Sequence, residues 1–281
     1  MKFSQRLAIG YIQTKFKLLP LFSKRKTAEK AFDLFCTPYL KSKAHTPPVF
    51  EQAEKLYLIV NGLKVAGWRW NHPQAKKALI LHGFGSAAHK FHHFVTPLIN
   101  KGYEVLAFDA PAHGSSAGKR VNAIMYSQMI ELVNEKFGPV DCYIAHSFGG
   151  IALSLALEKN PPLHMPKIIL LAPATETLTA VNQAFKMLKL KDEEVQKEFH
   201  NIIYEISGYN TQWFSIRRAI KNFTADILWI HDEDDDITPL EDAIKVKADK
   251  HPHVKFVITK GLGHRKIYRD AAVKKIIFEF A

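Results

Sequence analysis

Disulfides are the first thing this sequence lacks. Its 281 residues hold only two cysteines, Cys36 and Cys142, too few for the framework of a small secreted domain. Cys142 falls inside an apolar run, so both read as lone thiols, and a reducing, cytoplasmic setting is the expectation. Long hydrophobic runs are missing too. Nothing approaches the roughly eighteen apolar residues of a membrane span, and the N-terminus has no unbroken apolar core of signal length. Metal signatures fail on inspection. Asp232, Asp234 and Asp236 fall on positions one, three and five of a calcium loop, but Ile237 stands where the turn needs glycine and Ala243 where a bidentate glutamate is needed. His89, His92 and His93 cluster without an acidic or cysteine neighbour, which predicts a solvent-facing helix start, and neither metal nor organic cofactor is expected.

Acidic residues are in short supply: 27 against 39 basic ones, a formal charge of +12. The imbalance is concentrated in residues 1–50, where ten Lys/Arg face only Glu29 and Asp33. Phe3, Leu7, Tyr11, Thr14 and Leu18 recur at helical spacing until Pro20, and Ala28, Ala31, Phe32 and Phe35 do so before Thr37-Pro38. Two basic amphipathic helices are therefore expected, either packed on the core with a basic outer face or in peripheral contact with an anionic membrane surface. The first reading is adopted. No recognition motif accompanies the charge, so nucleic acid is not an expected partner.

What the chain has in quantity is apolar residues, 47% of the total, enough for one large core. Residues 56–60 and 63–70 read as strands joined by an Asn61-Gly62 turn, a pair that tolerates positive φ at both central positions. Short apolar runs then alternate with helical stretches at 78–81, 104–108, 142–145, 168–172, 227–230 and 256–258. Continuous apolar character marks strands buried on both faces, and strand–helix alternation implies a mostly parallel, doubly wound sheet of eight strands in an α/β fold. About fifty residues without a strand run separate Thr175 from Thr224, which predicts a small helical cap. The expected division is a helical extension at 1–50 and a domain at 51–281 with its cap at about 176–222.

Chemistry concentrates at Ala145-His146-Ser147-Phe148-Gly149-Gly150, where a serine sits between small residues directly after an apolar strand. That is the pattern of a nucleophile elbow, whose tight strand-to-helix turn requires small residues two before and two after the serine. A nucleophilic serine needs a base, and the base needs a carboxylate to fix its tautomer. Gly261-Leu262-Gly263-His264 places a histidine on a glycine-flanked loop after a strand. Between serine and histidine, the strand at 227–230 runs into His231-Asp232-Glu233-Asp234-Asp235-Asp236-Ile237-Thr238-Pro239, one of whose aspartates is the expected acid. All of these lie at C-terminal strand ends, where α/β sheets bind ligands.

These motifs, with His82-Gly83-Phe84-Gly85-Ser86 and Asp109-Ala110-Pro111-Ala112-His113-Gly114-Ser115, give residues 55–281 a resemblance to α/β-hydrolase-fold serine hydrolases. The resemblance implies Ser147 as nucleophile, His264 as base and Asp235 as acid, with Asp234 and Asp236 as alternatives because Asp232 stands where the family pattern has glycine. It implies an oxyanion hole at the N–H groups of Phe84 and Phe148. His82 and His113 are expected to pack loops, and His146 to line the site with Trp213 and Phe214 from the cap. The expected reaction is cleavage of a small-molecule carboxylic ester or related acyl bond through an acyl-enzyme. A thioesterase, acyltransferase, peptidase or lyase on the same triad, or a binding protein of the same fold, stands as the alternative.

Overall fold

Asn61 and Gly62 take φ of 49° and 76°, closing a two-residue turn between β1 (Glu54–Val60) and β2 (Leu63–Trp70). The structure, a computed structural model, describes residues 3–38 and 46–281, with side chains from residue 10 onward. The side chains of Phe3 and Leu7 lie outside the described residues.

Six further strands follow the hairpin: β3 (Lys76–Leu81), β4 (Tyr103–Phe108), β5 (Cys142–His146), β6 (Lys167–Leu171), β7 (Asp226–Asp232) and β8 (Val254–Thr259). They form one eight-stranded sheet in the order β1-β2-β4-β3-β5-β6-β7-β8. β1, β2 and β4 pair antiparallel and the remaining pairs are parallel. This is the α/β-hydrolase fold. Burial explains the order. β4 and β5 are buried along their whole length, whereas β1 alternates near its end and lies at the edge. Each large apolar side chain removed from water contributes about 1.5–3 kcal/mol, so strands that carry few charged side chains and can be buried on both faces take the centre.

The chain leaves β3 toward β4 on one side and returns to β5 on the other, so the loops after β3 and β5 diverge. Such a switch point opens a crevice at the carboxyl ends of the strands. The loop after β3 begins at His82 and the turn after β5 holds Ser147.

The chain divides into two compact units, one of Pro38–Thr175 with Ser215–Ala281 and one of Met1–Thr37 with Glu176–Phe214. The sheet belongs to the first. Two placements differ from the sequence-based division. Residues 215–222 belong to the sheet unit, where Arg218 pairs with Glu158, and the helical turn Pro48–Phe50 adds Phe50 to the core beside Trp70.

The second unit joins segments about 140 residues apart in the chain. Helix Lys24–Phe35 packs on helix Glu193–Ser207, with the rings of Phe32 and Phe35 edge-on to Phe199 at 5.6 and 5.9 Å. Around this apolar seam Arg25 donates to Glu198 and Glu205, and Lys24 to Asp192. The basic N-terminal helix thus finds its counter-charge on an acidic one. Among the described residues, no helix is long and apolar enough to cross a membrane.

Candidate active site

Ser147 closes β5 in a backbone conformation, φ 54° and ψ −119°, that a side chain rarely adopts. Strain of this kind is worth about 1–3 kcal/mol and persists only where its surroundings enforce it. Here the Ser147 N–H donates to the Leu171 carbonyl at 3.1 Å, and the Ser147 carbonyl accepts from Gly150 and Ala174. Helix Phe148–Lys159 then starts directly over the end of β3. A Cβ on Gly149 would lie 2.9 Å from the carbonyl oxygens of both Leu81 and His82, and one on Gly83 would lie 2.9 Å from Ser147 Cβ. Only glycine fits at either place.

Ser147 Oγ lies 3.0 Å from His264 Nε2, and His264 Nδ1 lies 2.8 Å from Asp235 Oδ2. All three side chains are buried. Asp235 Oδ1 accepts the N–H groups of Ile237 and Thr238 at 2.9 and 2.8 Å, and Thr238 Oγ1 stands 2.9 Å from Asp235 Oδ2. Burial works against the Asp235 charge, yet the bond from His264, the attraction of that ring and the two amide donors together hold its carboxyl below the usual range. Asp235 therefore accepts the Nδ1 proton, which leaves Nε2 as an acceptor facing the serine hydroxyl. Of the three adjacent aspartates, Asp234 and Asp236 are exposed, Asp234 accepting the Gly261 N–H at 2.9 Å, and Asp235 is the one bonded to His264.

Phe84 and Phe148 flank the serine from the loop after β3 and from the first turn of the elbow helix, their rings 5.7 Å apart. The loop carrying Phe84 is fastened by two histidines. His82 Nε2 accepts from Ala110 N–H at 2.9 Å, and His113 Nε2 accepts from Gly85 N–H at 2.9 Å. Burial pushes His82 down to about 4, so it serves as a neutral acceptor. Asp109 reinforces the same junction by accepting from Ala88 and Ser115.

His146 lines the far side of His264, with ring centroids 4.7 Å apart, and its Nε2–H donates to the His264 carbonyl at 3.0 Å. Burial, aided by repulsion from His264, pushes it down to about 3. Trp213 and Phe214 lie in the other unit, where Trp213 stacks on Tyr209 at 3.9 Å and Phe214 is buried. The histidines at 89, 92 and 93 occupy a 3₁₀ helix, Ala88–Phe94. His92 is exposed there, as a solvent-facing start requires, but His93 is tucked against the Tyr268 carbonyl at 2.6 Å. Among the described residues, no group of three or more His, Cys, Asp or Glu side chains could hold a metal ion.

A sequence family described as serine aminopeptidase, S33, matches residues 72–207, which span the loop after β3, the Asp109 turn and the elbow. The chain has the fold of the α/β hydrolases. It is 27% identical over 232 residues to the uncharacterized hydrolase YugF of Bacillus subtilis, covering 68% of this chain and 84% of that one. It is 25% identical over 235 residues to a Mycoplasma genitalium protein provisionally named esterase/lipase 2, covering 72% and 86%. The structure of the Pyrococcus furiosus esterase Pf2001 superposes with a TM-score of 0.65 at 17% identity, over 87% of this chain and 95% of that one.

Two contributors to the site around Ser147 escaped the sequence motifs. Thr238 gives both its amide and its hydroxyl to Asp235, and its place one residue before Pro239 was the only clue. Asp232 is fully buried and its carboxylate accepts the N–H groups of Gly263 at 2.8 Å, Leu262 at 3.1 Å and Asp234 at 3.1 Å, besides the Thr259 hydroxyl at 2.7 Å. The signal was there: an aspartate where glycine is usual.

Proposed function

We propose that this hydrolase cleaves a carboxylic ester or related acyl bond of a small molecule through an acyl-enzyme on Ser147. The observation that carries the proposal is the unbroken hydrogen-bonded line Ser147 Oγ, His264 Nε2, His264 Nδ1, Asp235 Oδ2. Ser147 Oγ attacks the carbonyl carbon while its proton passes to His264 Nε2, and Asp235 stabilises the imidazolium that forms. The main-chain N–H groups of Phe84 and Phe148 receive the oxyanion. The proton on Nε2 then goes to the leaving alkoxide. Water repeats the sequence on the acyl-enzyme, giving its proton to His264 and releasing the acid. The kinship with proteins named esterase supports an ester; the serine aminopeptidase description supports an amide substrate as the second reading. The buried thiols of Cys36 and Cys142 fit a reducing compartment.

The test is intact-mass labelling with a fluorophosphonate, followed by a panel of matched esters, thioesters and aminoacyl amides. One adduct on the wild type and none on Ser147→Ala is the expected result. A folded wild-type protein that takes no adduct would overturn the assignment.

A further inference from the structure

From residue 10 onward, helix Phe3–Leu18 carries apolar side chains on two sides. Phe16 and Pro20 of the following turn are buried and Ile12 is half-buried, which makes the inward side. The outward side carries Tyr11 and Leu18, and the turn Leu19–Leu21 continues it into Leu21 and Phe22. These four side chains are 71%, 52%, 77% and 86% exposed. A helix that only covers a core turns a polar face to water, whereas this one sets Tyr11 and Leu18 among the lysines of its exposed side.

A second segment, remote in sequence, lies against the same helix. The Gln13 side chain donates to the Met187 carbonyl at 2.7 Å, which brings up the end of helix Thr177–Leu188, where Met187 is 53% exposed. Lys15 and Lys17 from the first segment and Lys186 and Lys189 from the second are all exposed. Lys24 and Arg25, by contrast, are engaged by Asp192, Glu198 and Glu205.

Large apolar and aromatic side chains ringed by lysines are the chemistry of interfacial binding, in which apolar groups enter the acyl boundary and cations meet anionic headgroups. We propose that this surface docks the protein on an anionic phospholipid bilayer, with Leu21 and Phe22 inserted and the four lysines on the headgroups. Charge argues against a second copy of the chain as the occupant. A two-fold contact would set each lysine cluster against its equal, and like charges across an interface oppose association.

The experiment is co-sedimentation of the full chain with phosphatidylcholine vesicles, with and without phosphatidylserine, at low and high salt. The wild type is expected to sediment with the anionic vesicles, to leave neutral ones in solution, and to be released by salt. Leu21→Glu/Phe22→Glu and Lys186→Glu/Lys189→Glu should each weaken binding by about tenfold or more. All four positions are exposed, and thermal unfolding checks that both variants fold. Anionic vesicles bound equally by wild type and variants, or not bound at all, would overturn the proposal. So would a wild-type dimer that Leu21→Glu/Phe22→Glu converts to monomer with no vesicle binding by either, since the surface would then be a contact between copies. None of these readouts depends on turnover, so failure here leaves the acyl-transfer reading untouched.

Discussion

The Asp232 carboxylate accepts the N–H of Gly263 at 2.8 Å, and thereby fixes the residue that precedes His264. The strand register makes this possible: Asp232 pairs with Thr259 at the ends of β7 and β8, so the loop leaving β8 turns back over the carboxylate. His146 holds the same loop from the other side through the His264 carbonyl.

Replacing Asp232 with alanine should release the loop amides and let the His264 ring drift. Misplacement by about 1 Å costs on the order of 100-fold in rate, so kcat is expected to fall between tenfold and 100-fold with KM little changed. Thr259→Val, which removes one partner of Asp232 without touching the amides of 261–264, should lower thermal stability and leave kcat near wild type. Steady-state kinetics on both variants is the check. Equal loss of kcat in the two would assign Asp232 to stability alone.

Acid should weaken the fold before it protonates carboxylates. His82 and His146 are held neutral, pushed down to about 4 and about 3 by burial, whereas an unfolded histidine titrates near 6.5. Between those values the unfolded chain binds more protons than the folded one. Their contribution is complete above about pH 6.5 and is lost as pH falls toward 4. These two groups alone contribute about 2–3 kcal/mol per pH unit to the slope in mid-window, with His93, also pushed down to about 4 by burial, adding to it, and the slope is measurable by urea unfolding at a series of pH values. His146→Phe should lower the slope by one group's share, about 1.4 kcal/mol per pH unit. It should also cost about 1–3 kcal/mol at neutral pH, because the His264 carbonyl loses its donor.

At lower pH the two aspartates take over. Burial opposes the charge on Asp232 as well, but the bonds from Thr259, Gly263, Asp234 and Leu262 outweigh it and hold its carboxyl below the usual range, as with Asp235. Stability from these depressed groups is present above about pH 4 and disappears as pH falls through their folded values. Asp232→Asn should therefore flatten the unfolding profile below about pH 4 relative to wild type. An unchanged profile would contradict the assigned ionisation.

Backbone strain at Ser147 predicts a trade between stability and activity. Ser147→Gly relieves the φ of 54° and should raise stability by about 1 kcal/mol over Ser147→Ala, which keeps a Cβ in the same conformation. Both should lose at least about four orders of magnitude in kcat. Chemical denaturation of the two variants side by side separates the effects.

Much of this was legible in the sequence because the determinants are local. Burial on both faces writes continuous apolar runs, so all eight strands could be read with ends shifted by a few residues. The steric demand of a tight turn wrote Ala145 and Gly149 around Ser147, and Asn61-Gly62 wrote the hairpin. What stayed hidden depends on groups that meet only when distant loops fold together. Which of Asp234, Asp235 and Asp236 reaches His264 is decided by the turn that Thr238 closes. The role of Asp232 is decided by the register of β7 and β8. The basic N-terminal helices gave no sign that they would pack on residues 176–214 and assemble an exposed apolar surface there, since charge and periodicity say which face of a helix is apolar but not what it meets. The sequence by itself determined the elements and the order of the reacting groups, through patterns a few residues long. Tertiary structure alone decided which carboxylate, which amide and which helix face come together, because those contacts are fixed by the geometry of the whole sheet and of its loops.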